Sequence, residues 1–221
     1  MLHKTRGIVF RFTKYGETSI IVNIFTELFG LQSYIVNGVR SHSKSSKIAL
    51  YQPLTLLDLV VYHKENANVT RIKELRCLHP YHTLTTDVRK SAIGMFLNEV
   101  LNKSVKEQAH TNDLCVFLIN SFQQLDILEK GFENFHLVFL IRLTQYLGFR
   151  PYNTREIMGT GILSDHEETA LNGLLTMNYD DPLTLTLVER RNLLELILRF
   201  YANHIELGEL RSLPVVRELI Y

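Results

Sequence analysis

Residues 7–26 of the chain read GIVFRFTKYGETSIIVNIFT. Apolar residues alternate with other residues on both sides of a turn at 15–17, which is typical of two half-buried β-strands joined as a hairpin. These strands are predicted at Gly7–Thr13 and Thr18–Thr26. Arg11 points away from the apolar face of the first strand, because side chains alternate between the faces of a strand. The residues expected on the apolar faces are Ile8, Phe10 and Phe12 in the first strand and Ile20, Val22 and Ile24 in the second.

Three further strands are predicted before residue 80. They are Leu31–Val39, rich in β-branched and aromatic residues, then Leu54–His63 and Val69–Cys77. Five short strands in about 80 residues favour a small barrel, since closing the sheet removes its exposed edges. Residues 40–47 contain no large apolar side chain, so we expect a solvent-exposed loop there.

The apolar period changes to that of helices after about residue 83. Five helices are predicted. Three have predicted bounds: Thr83–Lys103, Asn134–Leu147 and Thr184–Glu206, the last of which is expected to be the longest. One of the other two begins after a cap at Thr111 or Asn112, and the other begins after a cap at Ser164, where Glu167 completes a capping box. The stretch Arg150–Leu163 is expected to be irregular. The predicted fold class is therefore α+β: a five-stranded barrel at residues 1–80 followed by an all-helical domain at residues 81–221. The boundary lies near His79-Pro80.

Composition excludes several classes of protein. The 221 residues are 46% hydrophobic and 21% charged, which is typical of a globular chain rather than a disordered one. No run approaches the roughly 20 apolar residues that a bilayer span requires, and the N-terminus lacks a secretory pattern. The two cysteines, Cys77 and Cys115, have no spacing suited to structural zinc. We therefore expect a cytoplasmic protein without metal or cofactor.

The formal charge of +1 conceals an asymmetry. Residues 1–80 contain 11 basic and 5 acidic side chains, a balance of +6, whereas residues 81–221 contain 13 basic and 18 acidic ones, a balance of −5. A basic first domain would attract polyanions. The alternative is a chance imbalance on solvated faces.

Basic residues of the predicted barrel are candidates for nucleic-acid binding. A single strand needs cations along its phosphates and exposed rings on which bases stack. The candidates are Arg11, Lys14 and Tyr15 at the first turn, Arg40, Lys44 and Lys47 in the polar loop, and Arg71 and Lys73 on the fifth strand. Phe12 and Tyr34 are further rings, with a core position as the alternative for each. No base-reading motif is visible, so binding should be salt-sensitive and largely independent of sequence.

Catalytic residues are not evident in the sequence. No nucleophile with a base, metal cluster or carboxylate pair stands out, so we do not expect an enzyme. A rival interpretation is a non-catalytic adaptor whose two domains both bind proteins. A nuclease ranks third, because the carboxylate cluster for two metals is missing.

Several segments resemble the bacterial RecO family of recombination mediators. The resemblance rests on three parts of the chain. They are Gly7–Arg11, Tyr15–Val22, Thr26, Gly30 and Asn37–Arg40 at the start, Phe139–Pro151 in the centre, and Leu210–Ser212 followed by Val216–Leu219 near the end. It implies an N-terminal oligonucleotide-binding (OB) barrel and a helical C-terminal domain. It also implies binding of single- and double-stranded DNA, annealing of complementary strands, and work with RecR to load RecA onto strands covered by single-stranded DNA-binding protein (SSB). The resemblance therefore implies a cytoplasmic protein associated with the nucleoid.

The resemblance also implies that the helical domain receives the acidic, apolar C-terminal tail of SSB. Arg142 and Arg217 are the cations we expect beside that tail. For Arg142 the alternative is an internal ion pair with Glu99 or Glu195.

The chain departs from the family pattern at two places. Many members have a four-cysteine zinc site after the central helix, but Arg150–Leu163 contains no cysteine. Many also have Lys where this chain has Asn37, which removes one possible phosphate contact, whereas Arg40 matches.

Overall fold

The computed structural model describes residues 1–40, 47–64, 67–106 and 111–221. They form two compact units. The first contains Met1–Tyr81 together with Val105–Gln123, and the second contains His82–Ser104 and Gln124–Tyr221. The unit that holds the strands thus includes a helical segment from later in the chain.

Five strands close into a barrel in the order β1-β2-β3-β5-β4. Their bounds are Leu2–Tyr15 (β1), Ser19–Thr26 (β2), Gly30–Val36 (β3), Leu56–Tyr62 (β4) and Thr70–Cys77 (β5). All neighbours pair antiparallel except β3 and β5, which pair in parallel over Tyr34–Thr70 and Ile35–Arg71. A 3-10 helix, Lys47–Tyr51, precedes β4. The predicted barrel is confirmed.

The first strand is longer than predicted and has a bulge. Its first half pairs with β4 and its second half with β2, and the register shifts between Val9 and Arg11. An extra residue in a strand reverses the alternation of side chains beyond it. Phe12 therefore packs against the barrel core with Val9, and the prediction that it shares a face with Ile8 and Phe10 is wrong.

The barrel interior is apolar and fully enclosed. The residues that line it include Val9, Ile20, Val22, Ile24, Tyr34, Leu57, Leu59 and Val61. Val39, just beyond β3, adds its side chain to the same core at 6% exposure. The inward positions predicted for β2 are confirmed.

The helical segment at 105–123 contacts the barrel within the first unit. Thr111 donates its hydroxyl to the carbonyl of Glu27 at 3.1 Å. The Cys115 thiol lies 3.9 Å from the Phe25 carbonyl and 4.0 Å from the Arg6 carbonyl. Phe25 stacks on Phe10 at 5.7 Å between ring centroids, and both rings are fully buried.

Seven α-helices lie in the described residues. Their bounds are Val88–Ser104 (α1), Thr111–Ile127 (α2), Phe135–Leu147 (α3), Thr154–Met158 (α4), Asp165–Leu174 (α5), Leu187–Ala202 (α6) and Leu213–Ile220 (α7). None of the described helices is long and apolar enough to cross a membrane.

Capping residues explain where these helices differ from prediction. Asp87 accepts from the backbone N–H groups of Arg89 and Lys90, so α1 begins after it rather than at Thr83. Thr186 caps α6 in the same way, so that helix is shorter than predicted and is exceeded by α1. Asn153 caps α4, a short helix inside the stretch predicted to be irregular.

Other predicted helix ends are confirmed. Ser164 and Glu167 form a capping box at the start of α5. The central helix α3 ends at Gly148, whose φ of 84° is left-handed and is readily adopted by glycine. Most of α3 is buried, as its nearly continuous apolar sequence predicts.

A buried arginine joins α6 to the ends of its neighbours in the second unit. Arg190 donates to the Asn134 side chain at 2.8 Å and to the Ile220 carbonyl at 3.1 Å. These acceptors are neutral groups rather than carboxylates. Burial, together with the nearby positive charge of Arg190, lowers the pKa of His136 on α3.

Candidate nucleic-acid interface

The outer surface of β1, β2 and β3 carries rows of side chains that run across neighbouring strands. In the first row Arg11 lies beside Asn23, and Asn23 donates to Ser33 at 3.0 Å. The second row consists of Thr13, Ile21, Ile35 and Arg71. Since strands lie about 4.8 Å apart, the second row extends about 14 Å across four strands. The surface is wide enough for a polynucleotide backbone.

Two predicted cations lie on this surface and a third lies at the barrel rim, and none of them has a neutralising carboxylate within the described residues. Arg11 and Arg71 are exposed in the first and second rows, and Lys14 is exposed at the barrel rim, where its backbone pairs with Ile20. Within the described residues none of the three forms an ion pair. We call the surface formed by Arg11, Lys14, Tyr15 and Arg71 the basic face.

Lys73 differs from these cations. It lies at a register shift of β5 and forms an ion pair with Glu74 at 3.7 Å between Nζ and Oε1. Both side chains are well exposed, so this ion pair is weak. Lys73 is therefore partly compensated, unlike Arg71 on the same strand.

One of the three aromatic candidates is accessible. Tyr15 is 53% exposed at the end of β1, whereas Tyr34 is 1% exposed inside the barrel. Phe12 packs against the barrel core, which confirms the alternative that the sequence left open. Burial raises the pKa of the Tyr34 hydroxyl.

The loop candidates divide between described and undescribed residues. Lys44 lies outside the described residues, and so does the side chain of Lys47. Arg40 is described, and its guanidinium donates to the backbone carbonyls of Gly16 and Glu17 in the β1–β2 turn.

The opposite side of the barrel is charge-compensated. Arg6 donates to both carboxylate oxygens of Glu27, at 2.9 and 2.7 Å, and Arg76 donates to Asp58 at 2.8 Å. The hydrogen bond from Arg6 lowers the pKa of Glu27. These residues line a cavity of about 510 Å³ that also contains Lys4 and Glu74, three positive charges against three negative ones. The ion pairs of Arg6 and Arg76 thus lie on this side, whereas Arg11, Lys14 and Arg71 form none within the described residues.

The basic face can bind phosphates and cover bases without base-specific contacts. Exposed guanidinium and ammonium groups attract phosphates, and the half-buried Ile21 and Ile35 between them offer apolar area beside Tyr15. Asn23 and Ser33 were not predicted as site residues. Each is a sequence neighbour of an inward-facing residue, Val22 or Tyr34. Because side chains alternate between the two faces of a strand, Asn23 and Ser33 could have been predicted to face outward.

In the second unit, Arg142 is engaged by the segment between α5 and α6. Its Nη2 donates to Asn178 Oδ1 at 2.5 Å, and its guanidinium lies 5.2 Å from the centre of the Tyr179 ring. The alternative pairing with Glu99 or Glu195 is wrong. Glu99 accepts instead from the backbone N–H groups of residues 211 and 212, which form the turn before α7.

Arg217 lies on α7 and pairs with Glu195 at 3.1 Å. Glu195 also accepts from Arg191 on its own helix. Arg142 and Arg217 therefore have different neighbours, and the structure shows no contact between them.

An apolar groove lies elsewhere in the second unit, near the end of α6 and the start of α7. Its volume is about 350 Å³, and it is lined by Leu198, Ile205, Leu207, Leu210, Leu213 and one carboxylate, that of Glu206. Neither Arg142 nor Arg217 lines it.

Two family models match the chain. The model described as "Recombination protein O N terminal" matches residues 1–81, which contain the barrel, and the one described as "Recombination protein O C terminal" matches residues 85–159.

Curated relatives match over nearly the whole length. The protein called "DNA repair protein RecO" of Phocaeicola vulgatus is 34% identical over 240 residues, covering 99% of each chain. Proteins of the same name from Flavobacterium johnsoniae and Bacteroides fragilis are 36% and 34% identical and cover 98% and 99% of each chain.

Proposed function

The chain belongs to the RecO family of DNA repair proteins, and from this premise we propose that it is a non-catalytic recombination mediator. It binds single- and double-stranded DNA, anneals complementary single strands, and works with RecR to load RecA onto SSB-coated strands. Its place is the cytoplasm, at the nucleoid.

The observation that supports DNA binding most directly is the basic face. Its cations, Arg11, Lys14 and Arg71, lack carboxylate partners within the described residues, whereas Arg6 and Arg76 on the opposite side are paired. A phosphate backbone bound there would displace counterions rather than break ion pairs. We therefore assign the polynucleotide to the basic face and include Lys44 and Lys47 of the adjoining loop in the proposal.

Annealing requires little chemistry from the protein. Two complementary strands repel each other through their phosphates, and a cationic surface lowers this repulsion and raises their local concentration. Base pairing then supplies the driving force. Loose binding of the backbone suits this task better than base-specific contacts, because the bases must remain free to pair.

The test is a titration of a short single strand at several salt concentrations. We expect the triple variant R11Q/K14Q/R71Q to bind more weakly and to lower the salt slope by about 2, since each phosphate contact to a single strand contributes about 0.7. The matched control is K4Q/R76Q/K130Q, which removes the same charge at exposed positions elsewhere. Equal losses in both triple variants would show that only net charge matters and would refute the assignment to the basic face.

A strand-annealing assay separates a mediator from an adaptor. A mediator accelerates pairing of complementary oligonucleotides, and R11Q/K14Q/R71Q should lose most of that acceleration. An adaptor whose barrel binds an acidic protein has no reason to accelerate pairing. Wild-type protein without any effect on pairing would favour the adaptor.

For the second unit we propose binding of the acidic, apolar tail of SSB, with Arg142 and Arg217 as its cations. The apolar groove near α7 supports a site for apolar side chains, and arginine is well suited to carboxylates. Both cations have intramolecular partners, so a bound carboxylate must displace Asn178 or Glu195. In a tail-peptide titration we expect R142A and R217A to bind more weakly. Unchanged affinity in both variants would refute this role.

A further inference from the structure

Arg40 closes the β1–β2 turn from the outside. Its backbone N–H donates to the Thr18 carbonyl at 3.1 Å, and its guanidinium Nη2 donates to the carbonyls of Gly16, at 3.0 Å, and Glu17. Each of the three turn residues therefore gives a carbonyl to Arg40. The Nε of Arg40 is buried and has no hydrogen-bond partner in the described part of the chain.

The residues just before Arg40 hold the same turn. Asn37 accepts a hydrogen bond from the Ser19 hydroxyl at 3.0 Å, directly after the turn. Val39 is anchored in the barrel core at 6% exposure, which fixes the segment to the barrel. Gly38 has a φ of 71°, so the chain can reverse between these two anchors. The segment 37–40 is thus a clamp on the β1–β2 turn.

Two members of the basic face directly precede this turn. Lys14 and Tyr15 are the last residues of β1, and both side chains are exposed. A three-residue turn tethered only by its strands samples many conformations, and ordering it on binding costs entropy. Holding the turn before DNA arrives avoids that cost.

We propose that Arg40 is a positioning residue, which acts on DNA through the β1–β2 turn rather than by binding a phosphate. The inference rests on the proposed DNA binding and adds the role of one residue to it. Arg40 is one of the cations that the sequence predicts to bind phosphate. The hydrogen bonds show that its guanidinium is directed at the turn.

The choice between lysine and glutamine at this position distinguishes the two roles. A phosphate contact needs a positive charge, which R40K retains. Both hydrogen bonds to the turn carbonyls come from Nη2, which lies one bond further from Cα than the Nζ of a lysine, so neither R40K nor R40Q reproduces them. We expect both variants to bind a short single strand about 5-fold more weakly than wild type, with the same salt slope as each other.

Arg11 is the matched comparison, because its guanidinium is exposed and unpaired within the described residues. R11K should bind several-fold more tightly than R11Q, since only charge is needed there. A second measurement is independent of DNA. By amide hydrogen exchange, the N–H groups of residues 19 and 40 should exchange about tenfold faster in R40K and R40Q than in wild type.

The outcomes separate two failures. If R40K binds DNA like wild type while R40Q does not, Arg40 is a phosphate contact and the inference is wrong. If exchange at the turn is unchanged in both variants, it is also wrong. If wild type itself does not bind DNA but exchange rises in both variants, the clamp exists and the proposed function is what fails.

Discussion

The buried imidazole of His136 makes the stability of the second unit sensitive to acid. It is fully buried on α3, and its Nε2 lies 2.5 Å from the hydroxyl of Tyr221. The ring of Phe96 packs edge-on against it, and the positive charge of Arg190 is nearby. Burial, with a smaller effect of Arg190, lowers the pKa of His136 to about 3. The ring is therefore neutral in the folded protein.

This pKa leads to a prediction of pH dependence. In the unfolded chain a histidine titrates near pH 6.5, so between pH 6.5 and about 3 the unfolded state binds one proton more than the folded state. Stability is full above pH 6.5 and is lost as pH falls through this window, by at most about 1.4 kcal/mol per pH unit. We expect H136N to show a shallower decline in urea unfolding between pH 7 and pH 4.5.

The exposed His82 provides the control. H82N should keep the slope of wild type. A stability difference between wild type and H136N that is the same at every pH would contradict the prediction.

At the level of residues, the sequence predicts orientation better than partners. Alternation placed Val22 inside correctly, because that position follows from the strand period. It failed at Phe12, since a bulge leaves no mark in the apolar pattern. It gave no signal for the carbonyl contacts of Arg40, because a side chain that binds backbone places no demand on the identity of the residues it contacts.

Two helices of the second unit begin with interlocked capping boxes. Ser164 and Glu167 form the box of α5, and Thr186 and Glu189 form that of α6. Asn192 on α6 donates to Glu167 at 2.8 Å, and His166 on α5 lies 2.7 Å from Glu189. Backbone N–H donation within each box is the main cause that lowers the pKa of both glutamates.

Because each box contacts the other helix, the stability lost on removing one box should depend on whether the other box is present. We expect S164A and T186A each to lower the free energy of unfolding by about 1 kcal/mol. The double variant should differ from the sum by at least about 0.5 kcal/mol. Urea unfolding measures all three variants, and T169A, on the exposed face of α5, is the control. Strict additivity would show that the two boxes act independently.

At the level of elements, the apolar period and the capping residues predict different features: the period locates long helices, and the caps locate where helices begin. The period located α3 to within one residue, since the helix is apolar almost all round. Ser164 and Glu167 predict the start of α5 correctly. The apolar period predicts that α6 begins at Thr184, but the equivalent pair Thr186 and Glu189 makes it begin at Leu187. The short helix α4 was missed because five residues are too few for a period, although Asn153 and Glu156 mark its start.

The assignment of residues 105–123 to the barrel unit can be tested through Cys115. Its thiol is fully buried, and burial raises its pKa to about 12, so it reacts with thiol reagents only when the unit opens. In a C77S background we expect I24A, in the barrel core, to accelerate labelling of Cys115 by at least about tenfold. L171A, in the core of the second unit, should have a much smaller effect.

The two substitutions remove similar volumes from fully buried sites, so a difference in labelling rate reflects the unit in which the cavity lies. Equal acceleration by I24A and L171A would mean that the two units open together, and the distinction between them would not hold in solution.

At the level of the whole chain, the sequence shows where strands give way to helices but not which helix joins which unit. The change of period near Pro80 is plain. The amphipathic pattern of α2 shows that one of its faces is buried. It does not show that the first part of α2 packs with the barrel, because an apolar side chain such as that of Leu114 can pack against any apolar surface.

The split composition of the first unit has a consequence for biosynthesis. A ribosome releases the five strands well before residue 123, the end of the segment that completes the unit. At about 5–20 residues per second, the stretch of about 46 residues between Cys77 and Gln123 takes roughly 2–9 s to translate. During that interval the nascent barrel lacks the segment 105–123, so this is the period in which we expect a chaperone to bind it.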